Sequence, residues 1–291
     1  MTQKTARSPY AALSLAVVCV SSGAILVRYA AAPPLAVAFH RVFLASLFLA
    51  PLAGRALFAC WPRLSPRERL LLLGSGVALA LHFATWIASL SYTSVAVSVL
   101  LVNTAPVFTV LLSSALLHEG VPPRVLAAIA VAMVGAALTA RGGVEDAPGS
   151  LIGVALALLG AVTLSAYQVI GRGLRSRLPL DAYVLGVWGT AAVTLLAFAL
   201  AAGTPLFAHP PRSYAAFVGL ALLPTLGGHG LVNLSLRRLP APTVGLFLLG
   251  EPVGASILAF FLFGETPSAL TLAGGGVVLA ALAAVVLTAR R

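Results

Sequence analysis

Apolar residues fill this chain in long unbroken runs, and polar side chains interrupt those runs at two sets of matching depths. Runs such as 125–138 show no alternation of apolar and polar positions, whereas the strands of a membrane barrel alternate with a period of two. In hydrocarbon only helices and closed barrels pair every backbone group, so the pattern predicts helices. A span needs roughly 20 apolar residues. Ten fit: 10–29, 35–53, 69–90, 94–117, 122–140, 150–171, 181–202, 214–235, 241–263 and 268–288. Pro33-Pro34, Trp61-Pro62, Pro122-Pro123, Gly142-Gly143, Pro179, Pro210-Pro211, Pro240 and Pro267 separate them. Several of these prolines stand where the next helix begins, and there the missing N–H costs nothing. The first span follows Lys4 and Arg7, as a signal peptide would, but it lacks a small-residue cleavage site and is read as a helix.

The polar interruptions repeat. His82, Pro106 and Glu119 in the first half are matched by His229, Pro252 and Glu265 in the second. The His-to-Pro spacings are 24 and 23, and the Pro-to-Glu spacing is 13 both times. The expected fold is therefore an all-α integral membrane protein of ten transmembrane helices, built as two five-helix repeats over 10–140 and 150–288. An odd number of helices per repeat sends the second copy in from the opposite side, so the repeats are inverted. Inverted repeats let one unit pack in two equivalent ways around a midplane site.

Composition supports this and closes off other classes. The chain is 60% hydrophobic and 9% charged, with mean hydropathy +1.05, too little polar surface for a soluble fold of 291 residues. A net charge of +11 also suits a nucleic-acid binder, but such a protein gathers its charge on one soluble face. Here the arginines stand singly or in small groups between apolar runs, so no nucleic-acid partner is expected. With the N-terminus in the cytoplasm, fourteen of the 18 Lys and Arg fall on that side; Arg28, Arg141 and Arg212 fall outside, and Arg41 lies within a span. That bias predicts a multi-pass protein of the cytoplasmic (inner) membrane with both termini cytoplasmic. Tyr10, Tyr29, Tyr92, Tyr183 and Tyr214 fall near predicted helix ends, where the headgroup zone suits their rings. Cys19 and Cys60 make no disulfide framework. No Walker A, H-E-x-x-H or G-x-S-x-G motif and no Cys/His metal spacing occurs. Neither an enzyme nor a bound cofactor or metal is expected, and no segment is long enough for a nucleotide-binding domain.

The candidate site residues are the polar ones at depth. His82 shares a helical face with Ser75, Leu79, Trp86 and Ser89; His229 shares one with Thr225 and Asn233. Each histidine lies about 5 Å from its helix midpoint at 1.5 Å per residue. A polar stripe there faces the bundle interior or a wet cavity, since lipid would penalise it. Either histidine alone reads as one satisfied by a neighbouring helix; equivalent placement in both repeats favours cavity lining. Glu251, just before Pro252, costs about 2.5–3.5 kcal/mol at midplane unless paired, protonated or hydrated. Its counterpart is Ala105. Glu251 reads equally as a functional carboxylate and as a protonated donor to a backbone carbonyl freed by Pro252. Pro106 and Pro252 kink their helices, as hinges or as fixed bends. Asn103 and Thr104 either line the cavity or satisfy the interrupted hydrogen bonds. Arg41, beside His40, either snorkels to the interface or pairs with a carboxylate such as Glu251. Tyr167 and Gln168 are further candidate contacts, Trp188 reads as packing, and Glu119 and Glu265 read as cap or loop-ordering groups. The Gly250-x-x-x-Gly254 and 274–276 glycines allow close helix approach. Asn233-Leu234-Ser235 matches a glycosylation acceptor, but it lies inside a span.

The segments Leu81-His82-Phe83-Ala84-Thr85-Trp86, Ser91-Tyr92-Thr93, Thr104-Ala105-Pro106-Val107-Phe108 and His118-Glu119 resemble the EamA-type repeat of the drug/metabolite transporter superfamily. Gly228-His229-Gly230, Gly250-Glu251-Pro252-Val253 and Phe263-Gly264-Glu265-Thr266 are similar to its partner repeat, and Ala38-Phe39-His40-Arg41-Val42-Phe43 to its second helix. The resemblance covers nearly the whole chain. It implies ten helices around a central cavity and alternating access driven by ion or substrate gradients. Many bacterial members export amino acids or other small metabolites. The expected partners are thus a small-molecule substrate, the lipid bilayer and protons. The expected contacts are His82, Trp86, Asn103, Tyr167, Gln168, His229, Asn233 and Glu251, with Trp86 offering a ring face. A nucleotide-sugar or phosphate-ester carrier would need more cationic groups than Arg41 alone. A membrane-embedded enzyme lacks an acid/base pair near an interface. A non-transporting structural or regulatory protein is the remaining alternative.

Overall fold

The computed structural model describes residues 9–117, 122–146, 150–175, 177–236 and 247–288. These residues form helices and connections, with no strand among them. The first repeat contains α1 (Pro9–Ala30), α2 (Pro34–Cys60), α3 (Pro66–Ser89), a fourth helix broken into α4a (Val95–Val102) and α4b (Ala105–Leu117), and α5 (Pro123–Asp146). The second contains α6 (Ser150–Arg175), α7 (Leu180–Ala201), an eighth helix in three parts, α9 (Gly250–Phe263) and α10 (Ala269–Thr288). The eighth runs as α8a (Pro211–Leu220), a π-helical stretch (Ala221–His229) and α8b (Gly230–Leu236). Eight spans among the described residues are long and apolar enough to cross a membrane, and Gly250–Phe263 and Ala269–Ala284 are shorter apolar helices. Together they make the ten-helix membrane architecture. The expected start of the ninth span at 241 lies outside the described residues.

Local sequence explains the helix ends. Pro34, Pro66 and Pro211 open α2, α3 and α8a, where a proline loses no hydrogen bond. Ser65 and Glu68 form a reciprocal capping box on α3, Ser65 Oγ accepting from the Glu68 N–H and Glu68 Oε2 accepting from the Ser65 N–H. Glu68 also pairs with Arg177 beyond α6, tying the two repeats at this end. Gly264 closes α9 in the left-handed region at φ 69°, a conformation a side chain would strain. One end differs from expectation: α2 runs through Pro51 to Cys60 instead of stopping near 53. Ala53, Ala56, Leu57 and Ala59 are good helix formers, and they carry the helix past the proline.

The packing shows the symmetry. α2 packs on α7, α4 on α9, and α5 on α10, each helix against its own counterpart. The close pairing of α3 with α6 is mirrored by that of α8 with α1. The counterparts run in opposite senses. The last turn of α1 carries Arg28, which donates to Thr93 O, and the counterpart of α1, α6, begins beside Thr93 through Gly153. α4a begins at Val95, whose N–H donates to Glu265 just past the end of its counterpart α9. The two repeats are therefore inverted.

Glycines set the closest helix approaches. A Cβ on Gly274 would lie 2.5 Å from the Thr139 N, and one on Gly254 would lie 2.4 Å from Ser21 Oγ. Both are sites where helix backbones pack at small-residue distance. The outside carries large apolar side chains: Leu52 and Phe58 are 79% exposed and Phe261 77%. Such a surface is an aggregation liability in water and a match for acyl chains in a bilayer. Tyr183 departs from the expected headgroup placement. It is fully buried, with its hydroxyl 3.1 Å from Ser75 Oγ, because α7 lays it against α3 and not against the interface.

Candidate functional site

Polar groups from both repeats converge in the interior of the bundle. Arg41 on α2 is 3% exposed and turns inward, so it does not snorkel. Its Nε donates to Thr225 Oγ1 at 2.9 Å. Thr225 in turn donates its hydroxyl to Leu220 O at 2.7 Å, which leaves its lone pairs aimed at the arginine. The guanidinium lies 4.4 Å from the centroid of Phe83 and 5.6 Å from that of Trp86, both on α3. Aromatic faces partly replace the water that this cation has lost. Arg41 Nη1 is buried and has no acceptor among the described residues.

His82 holds the aromatic wall in place. Its Nδ1 bonds to Gly160 O on α6 at 2.9 Å, and its ring lies parallel to Trp86 with centroids 6.0 Å apart. A ring nitrogen facing a carbonyl must carry the proton, which leaves Nε2 as the acceptor in the neutral ring. Gly160 makes this approach possible, since a Cβ there would sit 3.2 Å from Trp86 Cβ. Trp86 is 5% exposed, and its Nε1 has no acceptor among the described residues. Arg41, not open space, occupies a face of its ring.

The broken helices bring the remaining groups. α4 is interrupted at Asn103-Thr104 and α9 at Leu249, each shortly before its mid-span proline. A proline cannot donate to the preceding turn, so the helix loosens there. Thr104 Oγ1 donates to Leu101 O at 2.6 Å, and Asn103 Nδ2 donates to Val99 O at 2.9 Å, so both side chains fold back on the last turn of α4a. The Asn103 side chain lies near Glu251, which stands in the first turn of α9 within electrostatic reach of Arg41. The π-helical stretch ends at His229, which is exposed and lies within electrostatic reach of Arg41. π turns are a recurrent feature of functional sites.

Of the residues expected to form the site, His82, Trp86, Asn103, His229 and Glu251 are gathered around Arg41. Tyr167 and Gln168 are not. They lie seven and eight residues beyond Gly160 on α6, about 10–12 Å further along the helix. Gln168 Oε1 accepts from Thr109 at 3.0 Å, and the Tyr167 ring packs against the main apolar core. Asn233 is one turn past His229 on α8b, and its side chain lies outside the described residues, as does Glu119. Trp188 is 7% exposed within the core. Glu265 pairs with Arg28 and caps the Val95 N–H, at the end of the bundle away from Glu68. Arg41, Phe83 and Thr225 were not among the expected contacts. The signal for Arg41 was a lone cation in an apolar run, and for Thr225 its place one turn before His229.

A bundle of inverted helical repeats with charged groups enclosed between them is the architecture of membrane transporters, and the comparisons with known proteins agree. The EamA-like transporter family profile matches residues 7–141 and again 151–287. The chain belongs to the EamA-like transporter family. It is 27% identical over 270 residues to an uncharacterized transporter of Archaeoglobus fulgidus, covering 93% of each chain. A second uncharacterized transporter of that organism is 24% identical over 212 residues, 71% of each chain. A solved crystal structure, described only as that of a protein, matches 97% of this chain and 99% of its own with TM-score 0.64 and 22% identity, which shows the fold alone.

Proposed function

We propose that this chain is a secondary active transporter that moves small metabolites across the cytoplasmic membrane by alternating access, exporting amino acids or related compounds. One observation carries this reading. Arg41 and Phe83 from the first repeat and Thr225, His229 and Glu251 from the second meet in one interior cluster, at the seam where the repeats would move against each other. The paired interruptions before Pro106 and Pro252 supply a bend in each repeat at the same depth. His82, Trp86, Asn103, His229, Asn233 and Glu251 would surround the substrate, with Tyr167 and Gln168 on its path toward one face. The 10–140 and 150–288 units are the moving halves, with both termini in the cytoplasm, and Glu251 is the proton-coupling group.

The phosphate-ester alternative is weaker because a phosphate dianion calls for several cations, while Arg41 lies within electrostatic reach of the Glu251 carboxyl. The test is exchange of labelled amino acids in proteoliposomes loaded with the unlabelled compound. Saturable exchange of at least one, with Glu251→Gln losing its dependence on a pH gradient, supports the reading. If no amino acid or related metabolite crosses faster than in empty liposomes, the reading falls.

A further inference from the structure

We propose that Arg41 Nη1 and Trp86 Nε1 together hold the carboxylate of the substrate. This rests on the transport reading and narrows its substrate class to monoanionic carboxylates.

Two neighbouring N–H donors are buried with no acceptor among the described residues, one on Arg41 and one on Trp86. Buried polar groups are almost always paired, and an unpaired charged donor is the most costly kind. Other polar groups here follow that rule. Arg41 Nε, Thr225, His82 and Asn103 all have partners. The two orphans are also fixed in place. Thr225 pins the guanidinium, and the stack on His82, itself bonded to Gly160 O, sets the indole plane. Donors held in place in advance need little reordering when a ligand arrives. What fits two N–H donors, one of them cationic, is an anionic oxygen acceptor.

Charge selects the kind of anion. Glu251 is the carboxyl group within electrostatic reach of Arg41, and when ionised it offsets part of the cation's charge. A monoanion is favoured there over a dianion, and an ammonium group on the same ligand would lie toward Glu251. Phe83 and Trp86 give the site an apolar wall for the rest of the molecule.

The experiment uses the intact protein in lipid nanodiscs and measures binding by calorimetry. The probes are L-leucine, L-phenylalanine and L-threonine, each beside its carboxamide, together with phenethylamine and glycerol 3-phosphate. At least one acid should bind, with its carboxamide roughly tenfold weaker or more, the loss expected for one charge-assisted hydrogen bond. Trp86→Phe keeps the ring and deletes the N–H. It should weaken that acid about 3- to 10-fold, the loss of one hydrogen bond, and leave the carboxamide unchanged. Arg41→Gln should abolish the preference for acid over amide. The acid/amide comparison on the unaltered protein and the Trp86→Phe variant keep the test decisive if Arg41→Gln does not fold. Equal binding of acid and amide, no binding of any acid, or tighter binding of glycerol 3-phosphate overturns the proposal. Proteoliposome exchange separates it from the reading beneath it. Flux of phenethylamine but not of the acids sinks the carboxylate site and leaves transport standing; acid-selective binding with no flux of any probe does the reverse.

Discussion

The two repeats share a frame but not its contents. At the offset of 146 residues that carries Pro106 onto Pro252, Arg41 corresponds to Val187 and Glu251 to Ala105. The first repeat supplies the cation and the second the carboxylate. Even the matched histidines differ. His82 sits in regular helix, buried and bonded to Gly160 O, while His229 ends a π-helical stretch and stays accessible. Duplication therefore fixed the depth of the polar positions, and divergence made one half a regular, bonded wall and the other a loosened one. A site with opposite charges on opposite halves is assembled only when the halves come together.

The largest expected effect breaks that pairing. Arg41→Gln should lower exchange in proteoliposomes about 100-fold, in the range for removing a buried charged group that faces a ligand. The double variant Arg41→Gln/Glu251→Gln should regain thermal stability without regaining exchange, since no lone charge is left at depth. If the single variant exchanges normally, the two charges do not act together. Next comes packing. Gly254→Leu would force a side chain against Ser21 of α1 and should cost about 1–3 kcal/mol of stability, whereas nothing lies within 4 Å of a Cβ on Gly276, so Gly276→Leu should be neutral. Thermal melts of the two variants in detergent check this.

The histidines should separate at a smaller scale. His82→Leu loses the bond to Gly160 and should cost about 1 kcal/mol. His229→Gln should leave the melting temperature unchanged and slow exchange. The opposite pattern would reverse the assignment of wall and loosened half. The smallest effect is expected for Glu265→Gln at the Arg28 end. That pair is partly exposed, at 28% and 17%, so its loss should cost under about 1 kcal/mol, with exchange retained.

The spans, the duplication and the two broken helices were legible in the sequence because each has a local cause. Long apolar runs require helices in lipid, and a mid-span proline must interrupt its own helix. The departures come from long-range contacts. Arg41 faces inward because Thr225, 184 residues away, accepts from it, and no periodicity in α2 reveals that partner. Tyr183 is near a helix end by position, yet α3 buries it through Ser75. Gln168 is polar and within a span, but Thr109 meets it two turns beyond Gly160 on α6. The π-helical stretch did have a local signal in Pro224 and Gly227-Gly228, which an apolar span read as continuous passes over.

The most direct test is the water accessibility of position 229. With Cys19 and Cys60 replaced by serine, a single cysteine at 229 should react with a membrane-impermeant methanethiosulfonate reagent. A bound substrate should slow that reaction, and a cysteine at Phe261 on the outer apolar face should stay unreactive. If 229 is silent to the aqueous reagent while 261 reacts, the polar cluster does not line an internal space and the account is contradicted.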